Sequence, residues 1–388
     1  MVHHWGVIPE LTDAQREVQA LVREFCRREV APHTADWDAN HHVPMDTLRA
    51  LAELGVLGVT VPEEHGGVGL DHTTLCLVVE ELARHDAGLS VAVAVHAGLT
   101  VAPIKSHGTP EQQARMLPAL ASGEQLGAYA LTEPDAGSDT ASIRLRAERD
   151  GDDWLLYGTK TWITNGGFAD AIIVFARTGG PGATGVSAFL AHAGEGLSVS
   201  KEIPKLGLHT SSTAELAFDG LRVADADRLG DEGAGLRVAL ATLDGGRITI
   251  AAQACGIARA ALDLATGYAQ EREAFGGPIA RFQGVQFPLA DVAAKLEGAR
   301  LLMLRAAAVR DAGEPHALEG AMAKLCASAV AVEAADMAVQ TLGGYGYSAE
   351  FPAERLYRDA KITEIYEGTS QIQRLVIARQ LLGRAARS

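Results

Sequence analysis

The stretch RLRAERDGDDWLLYGTKTWI, residues 144–163, decides the fold. Leu145 and Ala147 alternate with charged residues, Asp150-Gly151-Asp152 supplies turn chemistry, and a β-prone run follows from Trp154 to Ile163. This predicts a β-hairpin. Four more short apolar segments, at 171–176, 186–191, 197–203 and 214–218, are set apart by Gly-rich turns. That spacing predicts a small sandwich or barrel. On both sides the period changes to a helical one. Upstream, Thr12 or Asp13 can cap a helix carrying Val18, Leu21, Val22 and Phe25 that stops before Ala31-Pro32. Segments 45–54, 73–85, 89–107 and 110–120 read as further helices, with EEHGGVGL (63–70) a Gly-broken loop. Downstream, 236–273 reads as one very long helix, followed by helices at 285–312, 316–342 and 370–382. Long apolar-striped helices in succession predict an antiparallel bundle. The fold class is therefore multidomain α+β: a helical domain (1–122), a small β domain (123–230) and a helix bundle (231–388).

Composition narrows the function. The 388 residues carry 34 Lys+Arg against 49 Asp+Glu, a formal net charge of −15. Phosphate backbones and anionic membranes need a basic footprint, so a nucleic-acid role is disfavoured. No apolar run reaches spanning length, so a soluble protein without a membrane span is expected. Cys26, Cys76, Cys255 and Cys326 lie far apart and read as buried small hydrophobes. The pairs His3–His4 and His41–His42 are adjacent, not spaced i, i+4, so no shared metal site is expected. The first ten residues show neither a signal core nor a transit pattern, and a cytoplasmic location is expected. Neither G-x-G-x-x-G after a strand nor G-x-x-x-x-G-K-[ST] occurs, so any nucleotide must be held by other means.

The stretch IYEGTSQIQRL (365–375) places one carboxylate, Glu367, beside Gly368 and ahead of a helix. Ser370 and Gln373 have S-x-x-Q capping-box spacing. Ile372, Leu375, Val376 and Leu382 then recur at helical spacing before Gly383. An acid in such a turn can be desolvated yet aimed at a bound molecule, as a general base must be. The plain alternative is a solvated first-turn acid favouring the helix dipole.

Five segments, YALTEPDAGSD (129–139), KTWITNG (160–166), QEREAFGGPIARFQ (270–283), QTLGGYGY (340–347) and YRDAKITEIYEGTS (357–370), together resemble the motif set of acyl-CoA dehydrogenases, most closely the short-chain (butyryl-CoA) branch. They fall in family order, and the likeness runs from about Leu11 to Gly383. The resemblance implies an N-terminal helical domain, a middle β domain and a C-terminal four-helix bundle, with FAD as cofactor. It implies that Glu367 is the base removing the α proton of an acyl thioester while hydride leaves the β carbon for the flavin. Desolvation would raise the carboxylate's basicity. The Glu367 N–H and a flavin ribityl hydroxyl would stabilise the developing enolate. Some branches place the base on the first long bundle helix instead; here Gly245-Gly246 occupies that region.

By the same resemblance, Tyr129, Leu131, Thr132, Gly137 and Ser138 line the flavin ring, with Ser138 also facing the CoA chain. Trp162, Ile163 and Thr164 cover the isoalloxazine; the alternative for Trp162 is an ordinary core aromatic. Arg272 would hold the pyrophosphate, the alternative being an exposed bundle-face charge. Gln283 and Gln340, Gly343 and Gly344 match positions near the adenosine half, supplied in the family by a neighbouring subunit of a homotetramer. Thr369, Ser370 and Gln371 complete the flavin side, and Asp244, Arg247 and Gly368 match substrate-side positions. Glutaryl-type members carry an Arg in the N-terminal domain. The matching stretch here, AGLSVAVAVHAG (87–98), has Leu89 and no Arg, and Val91, Val93, Val95 and Leu99 suit a hydrocarbon chain. The expected reaction is dehydrogenation of a short- or medium-chain, non-dicarboxyl acyl-CoA, with an electron-transferring flavoprotein as acceptor. Alternatives are an oxygen-using acyl-CoA oxidase and a silent acyl-CoA- or flavin-binding partner protein.

Overall fold

The computed structural model describes residues 10–383. The helices are α1 (Asp13–Phe25), α2 (Thr34–Ala39), α3 (Met45–Glu53), α4 (His72–His85), α5 (Ala87–Val95), α6 (Ala102–His107) and α7 (Pro110–Ala121), then, after the strands, α8 (Gly235–Glu271), α9 (Gln283–Asp311), α10 (Ala317–Leu342), α11 (Pro352–Ile362) and α12 (Ser370–Leu382). The strands are β1 (Gly127–Ala130), β2 (Arg146–Asp150), β3 (Asp153–Thr164), β4 (Ala171–Arg177), β5 (Val186–His192), β6 (Leu197–Glu202), β7 (Thr213–Ala224) and β8 (Arg228–Leu229). The described residues form two compact units: one of 10–35, 72–87 and 247–383, the other of Asp36–Asp71 and Gly88–Gly246.

In the first unit, Thr12 caps α1 through a reciprocal box with Gln15. Helix α1 packs on α4, α4 on α9, α9 on α10, and α10 against α11 and α12. Gly256 lets α8 cross α4 closely: a Cβ there would stand 2.3 Å from the Glu80 carbonyl oxygen. Buried acids on α4 are paired, Glu80 with Arg300 at 2.7 Å and Glu81 with Arg23 at 2.5 Å. Asp311, the last residue of α9, accepts the His72 and Thr73 N–H groups at 2.8 and 2.9 Å and so caps α4 from outside its own chain segment. The sequence reading missed α11.

In the second unit, the strand order is β6-β7-β3-β2-β4-β5-β8, with β1 parallel to β4. The predicted hairpin is β2–β3, turning at Gly151, which has φ +65°. A single parallel pairing, Arg146 with Arg177, joins the two antiparallel halves. Residues of both halves share one core, including Trp154, Leu156, Ile172, Phe189 and Leu216, with the Trp154 and Phe189 rings edge-on at 5.6 Å. Strand β7 extends well beyond the expected 214–218, and β1 was not foreseen.

Three expectations need correction. Cys326 is exposed, unlike the other three cysteines. Two helical runs, Ala87–His107 and Gly235–Glu271, are long and apolar enough by composition to cross a membrane, but 94% and 78% of those windows are buried, as core helices require. Helix α12 is capped by Thr369, not Ser370. The His3–His4 pair lies outside the described residues. His41 stacks on His209 at 3.9 Å. Among the described residues no group of three or more His, Cys, Asp or Glu could hold a metal ion.

Candidate active site

In the first unit, α11 ends at Ile362 and the chain turns sharply before α12. Ser328 on α10 donates to the Thr363 carbonyl at 2.8 Å, and the Ser370 N–H reaches back to the Glu364 carbonyl at 2.9 Å. Between these ties Glu367 adopts φ +51° and Gly368 φ +92°. A left-handed non-glycine residue costs about 1–2 kcal/mol, so the surroundings must impose it. Three bonds do so. Lys324 Nζ donates to the Gly368 carbonyl at 2.6 Å, and Gln373 Nε2 donates to the same oxygen at 2.7 Å and to the Glu367 carbonyl at 3.4 Å. This explains the misplaced cap. Thr369 Oγ1 accepts the Ile372 N–H at 3.3 Å, while the buried Gln373 amide turns inward to the two carbonyls.

The Glu367 carboxylate is held in a desolvated setting. Its Oε2 is buried and has no hydrogen-bond partner among the described residues. Burial pushes the carboxyl up to about 7, against the opposing pull of Lys324 and Arg247. Lys324 is wholly buried, and burial pushes its ammonium down to about 8, with Glu367 acting in the opposite direction. Next to Glu367, burial raises the Tyr366 phenol well above its ordinary value; it donates to Gln253, whose amide donates to the Ala87 carbonyl at 2.8 Å.

Elsewhere in this unit Arg272 rims a cleft of about 580 Å³ that Tyr268, Gly343, Gly344 and Tyr345 also line. The guanidinium is exposed and lies 5.9 Å from the centre of the Tyr345 ring. Gly343 and Gly344 have open space where a side chain would stand. Gln283 and Gln340 are exposed and do not line this cleft. Thr369, Ser370 and Gln371 open α12. Arg247 is buried, so it acts on Glu367 from within and does not line an exposed entrance.

In the second unit, the β3–β7 register breaks between Lys160 and Ile163. There the Thr161 N–H bonds to the Thr132 carbonyl at 2.9 Å, and Trp162 takes φ +61°. The indole is left 57% exposed while Lys160, Thr161 and Ile163 are buried. Trp162 is thus no core aromatic; it is a flat apolar surface presented by a strand irregularity. The loop before it is tied down by Lys160, which donates to the Leu131 carbonyl and to Glu133, both at 2.8 Å. Glu133 in turn accepts the Arg144 and Leu145 N–H groups at 2.6 and 2.9 Å. Gly137 and Ser138 on this loop are exposed, Thr132 and Thr164 half-buried. Tyr129 is buried, its hydroxyl donating to the Ala239 carbonyl at 3.2 Å, which makes it a packing residue of this unit. Asp244 is half-buried on α8. Leu89, Val91, Val93, Val95 and Leu99 are all buried.

Sequence reasoning missed Lys324, Gln373, Lys160, Glu133 and Asn165. Asn165 (φ +65°) donates to the Ala92 and Gly127 carbonyls, each at 3.0 Å, and fixes the end of β3. The one signal available was a polar residue of each kind within an otherwise apolar or Gly-rich motif.

Profiles of the acyl-CoA dehydrogenase N-terminal, middle and C-terminal domains match residues 12–124, 128–221 and 233–382. The chain is 46% identical over 375 residues to the mitochondrial short-chain specific acyl-CoA dehydrogenase of Bos taurus, covering 96% of this chain and 91% of that protein. The chain belongs to the acyl-CoA dehydrogenase family. It is an acyl-CoA dehydrogenase with the three-part architecture of that family, helical, β and helical. Among solved structures, the butyryl-CoA dehydrogenase of Megasphaera elsdenii superposes with a TM-score of 0.95 at 41% identity, over 97% of this chain and 100% of that one. A chain from the structure described as the electron transferring flavoprotein of Acidaminococcus fermentans superposes with a TM-score of 0.95 at 44% identity, over 96% and 99%.

The cofactor of this family is FAD, and the residues present fit it. An exposed indole set among buried neighbours is the kind of surface a flat apolar ring covers. The exposed Arg272 fork suits a pyrophosphate, and the open glycine pair on the same cleft suits close approach of the adjoining nucleotide half.

Proposed function

We propose that this acyl-CoA dehydrogenase acts on short- or medium-chain, non-dicarboxyl acyl-CoA thioesters, with Glu367 as the α-proton base. The observation that carries the reading is the buried, unpartnered Glu367 Oε2 on a left-handed turn, with its carboxyl raised to about 7. A carboxylate of that basicity is half ionised near neutral pH and strong enough to take a weakly acidic proton. In the reaction the Cα–H and Cβ–H bonds break and a C=C bond forms. Glu367 takes the α proton. Acceptance of the hydride from the β carbon is the chemistry that bound FAD would supply. Among the described residues the Glu367 N–H has no acceptor, which leaves it able to donate to a thioester oxygen. Trp162, Ile163 and Thr164 would hold the flavin ring, Arg272 the pyrophosphate, and Gly343 and Gly344 the adenosine side.

The substrate class rests on the 89–95 segment, which carries no charged residue and presents Leu89, Val91, Val93 and Val95, and on the named activities of the similar cattle and Megasphaera enzymes. An electron-transferring flavoprotein as acceptor is supported by the Acidaminococcus likeness. A homotetramer accords with large apolar side chains left exposed on one chain, among them Phe275, Tyr347, Leu381 and Leu382. Anaerobic butyryl-CoA should bleach the flavin band of the wild type, and Glu367→Gln should lower that rate by at least 10³-fold without changing the resting spectrum. A variant that bleaches at the wild-type rate would rule out Glu367 as base. Fast turnover in air with peroxide as product would favour the oxidase alternative.

A further inference from the structure

The mechanism above uses one carboxylate, yet the turn that carries it is held by a buried cation that the reaction does not consume. Lys324 lies on α10 in the run AMAKLCASA (321–329), where Ala321, Ala323 and Ala327 are buried. An ammonium is a poor choice for such a position, since taking it out of water carries a penalty of several kcal/mol. It persists because Nζ donates to the Gly368 carbonyl at 2.6 Å, the oxygen that also accepts from Gln373 at 2.7 Å. One carbonyl oxygen has two lone pairs, and here both donors are buried side chains.

We propose that Lys324 is the positioning residue of the catalytic base: it locks the left-handed Glu367–Gly368 turn through the Gly368 carbonyl and places beside that turn a buried positive charge that favours the carboxylate form. This inference rests on Glu367 acting as the base. Gln373 shares the first task and contributes no charge, so the two roles are separable by substitution. The charged and titratable groups around Glu367 are Lys324 on α10, Arg247 on α8, Glu364 and Tyr366 in the turn, and Asp359 on α11. Arg247 also favours the ionised carboxylate. Glu364 acts on Lys324, and Asp359 on Tyr366. Lys324 is the larger of the two cationic influences on Glu367 and the one that also touches the turn.

The test uses the holoenzyme and follows the limiting anaerobic rate of flavin bleaching by butyryl-CoA against pH. The base must be ionised, so the wild-type rate should rise with pH and level off above about 7. Lys324→Gln keeps a donor for Gly368 and removes the charge. Its acid limb should move up by about one pH unit or more, with a plateau within a few-fold of wild type. Lys324→Met removes both and should show the same shift with a plateau lowered at least tenfold. Gln373→Leu should lower the plateau and leave the limb in place. A second readout is independent of turnover: difference infrared titration of the protonated carboxyl band that Glu367→Gln abolishes, which should move upward by the same amount in both Lys324 variants. An unshifted limb and an unshifted carboxyl band in Lys324→Gln would overturn the proposal. Should wild type fail to bleach with any acyl-CoA, the reading of Glu367 as base falls. The infrared titration then still reports whether Lys324 favours the carboxylate form.

Discussion

Replacing Lys160 by Met tests how the Trp162 segment is held. Lys160 is wholly buried, donating to the Leu131 carbonyl and to Glu133 at 2.8 Å. Burial pushes its ammonium down to about 8, and Glu133 opposes that. Removing one partner of a buried ion pair leaves the other uncompensated, a loss of about 3–5 kcal/mol. The Glu133 carboxylate would retain its bonds from the Arg144 and Leu145 N–H groups, which places Lys160→Met toward the lower end. Glu133→Gln should cost a comparable amount, since the amide retains one acceptor for two backbone donors. The double variant should be less damaging than the two losses added together, with a coupling of about 1–3 kcal/mol. Urea midpoints of the apo- and holoprotein supply the stabilities, and FAD retention on gel filtration reports the loop itself. A stability change below about 1 kcal/mol for Lys160→Met, or strict additivity in the cycle, would refute the argument that this pair anchors the loop. The pH dependence has a definite sign. Because the folded-state value lies below that of the free ammonium, the unfolded chain binds the extra proton between about 8 and 10.5. Lys160 therefore adds stability as pH rises through that window, and Lys160→Met should flatten the profile there.

Gly368→Ala should lower both stability and rate: φ +92° is strained for any side chain, and its Cβ would stand 2.8 Å from Gln373 Nε2. We expect about 1–2 kcal/mol lost in urea denaturation and a bleaching rate reduced about 10²-fold, because the base is displaced. Asp311→Ala should cost about 1–2 kcal/mol, since it removes the cap of α4 supplied from α9, and hydrogen exchange should quicken in the first turn of α4 while the bleaching rate stays near wild type.

The sequence alone determined the local periods and their order. The alternation around the Asp150–Asp152 turn, the caps at Thr12 and the Gly-rich breaks depend on neighbours within a few residues, and the observed elements follow them closely. It also placed Glu367 in a turn ahead of a helix, because Gly368 and the polar run after it are local signals. Local signals do not extend to partners drawn from far along the chain. Lys324 meets Gly368 across 44 residues, Lys160 meets Glu133 across 27, and Asp311 caps a helix 239 residues away. The apolar run around Lys324 hints at burial, but nothing near these residues in sequence names the partner each one bonds. The irregularity that turns Trp162 outward is equally invisible, because alternation alone assigns a side chain to a face and the β3–β7 register decides whether that assignment holds. Glu367 shows the division most plainly. Its position in the turn was written in the sequence, but its basicity was not, because desolvation and the field of Lys324 and Arg247 exist only once helices α8 and α10 have packed around it.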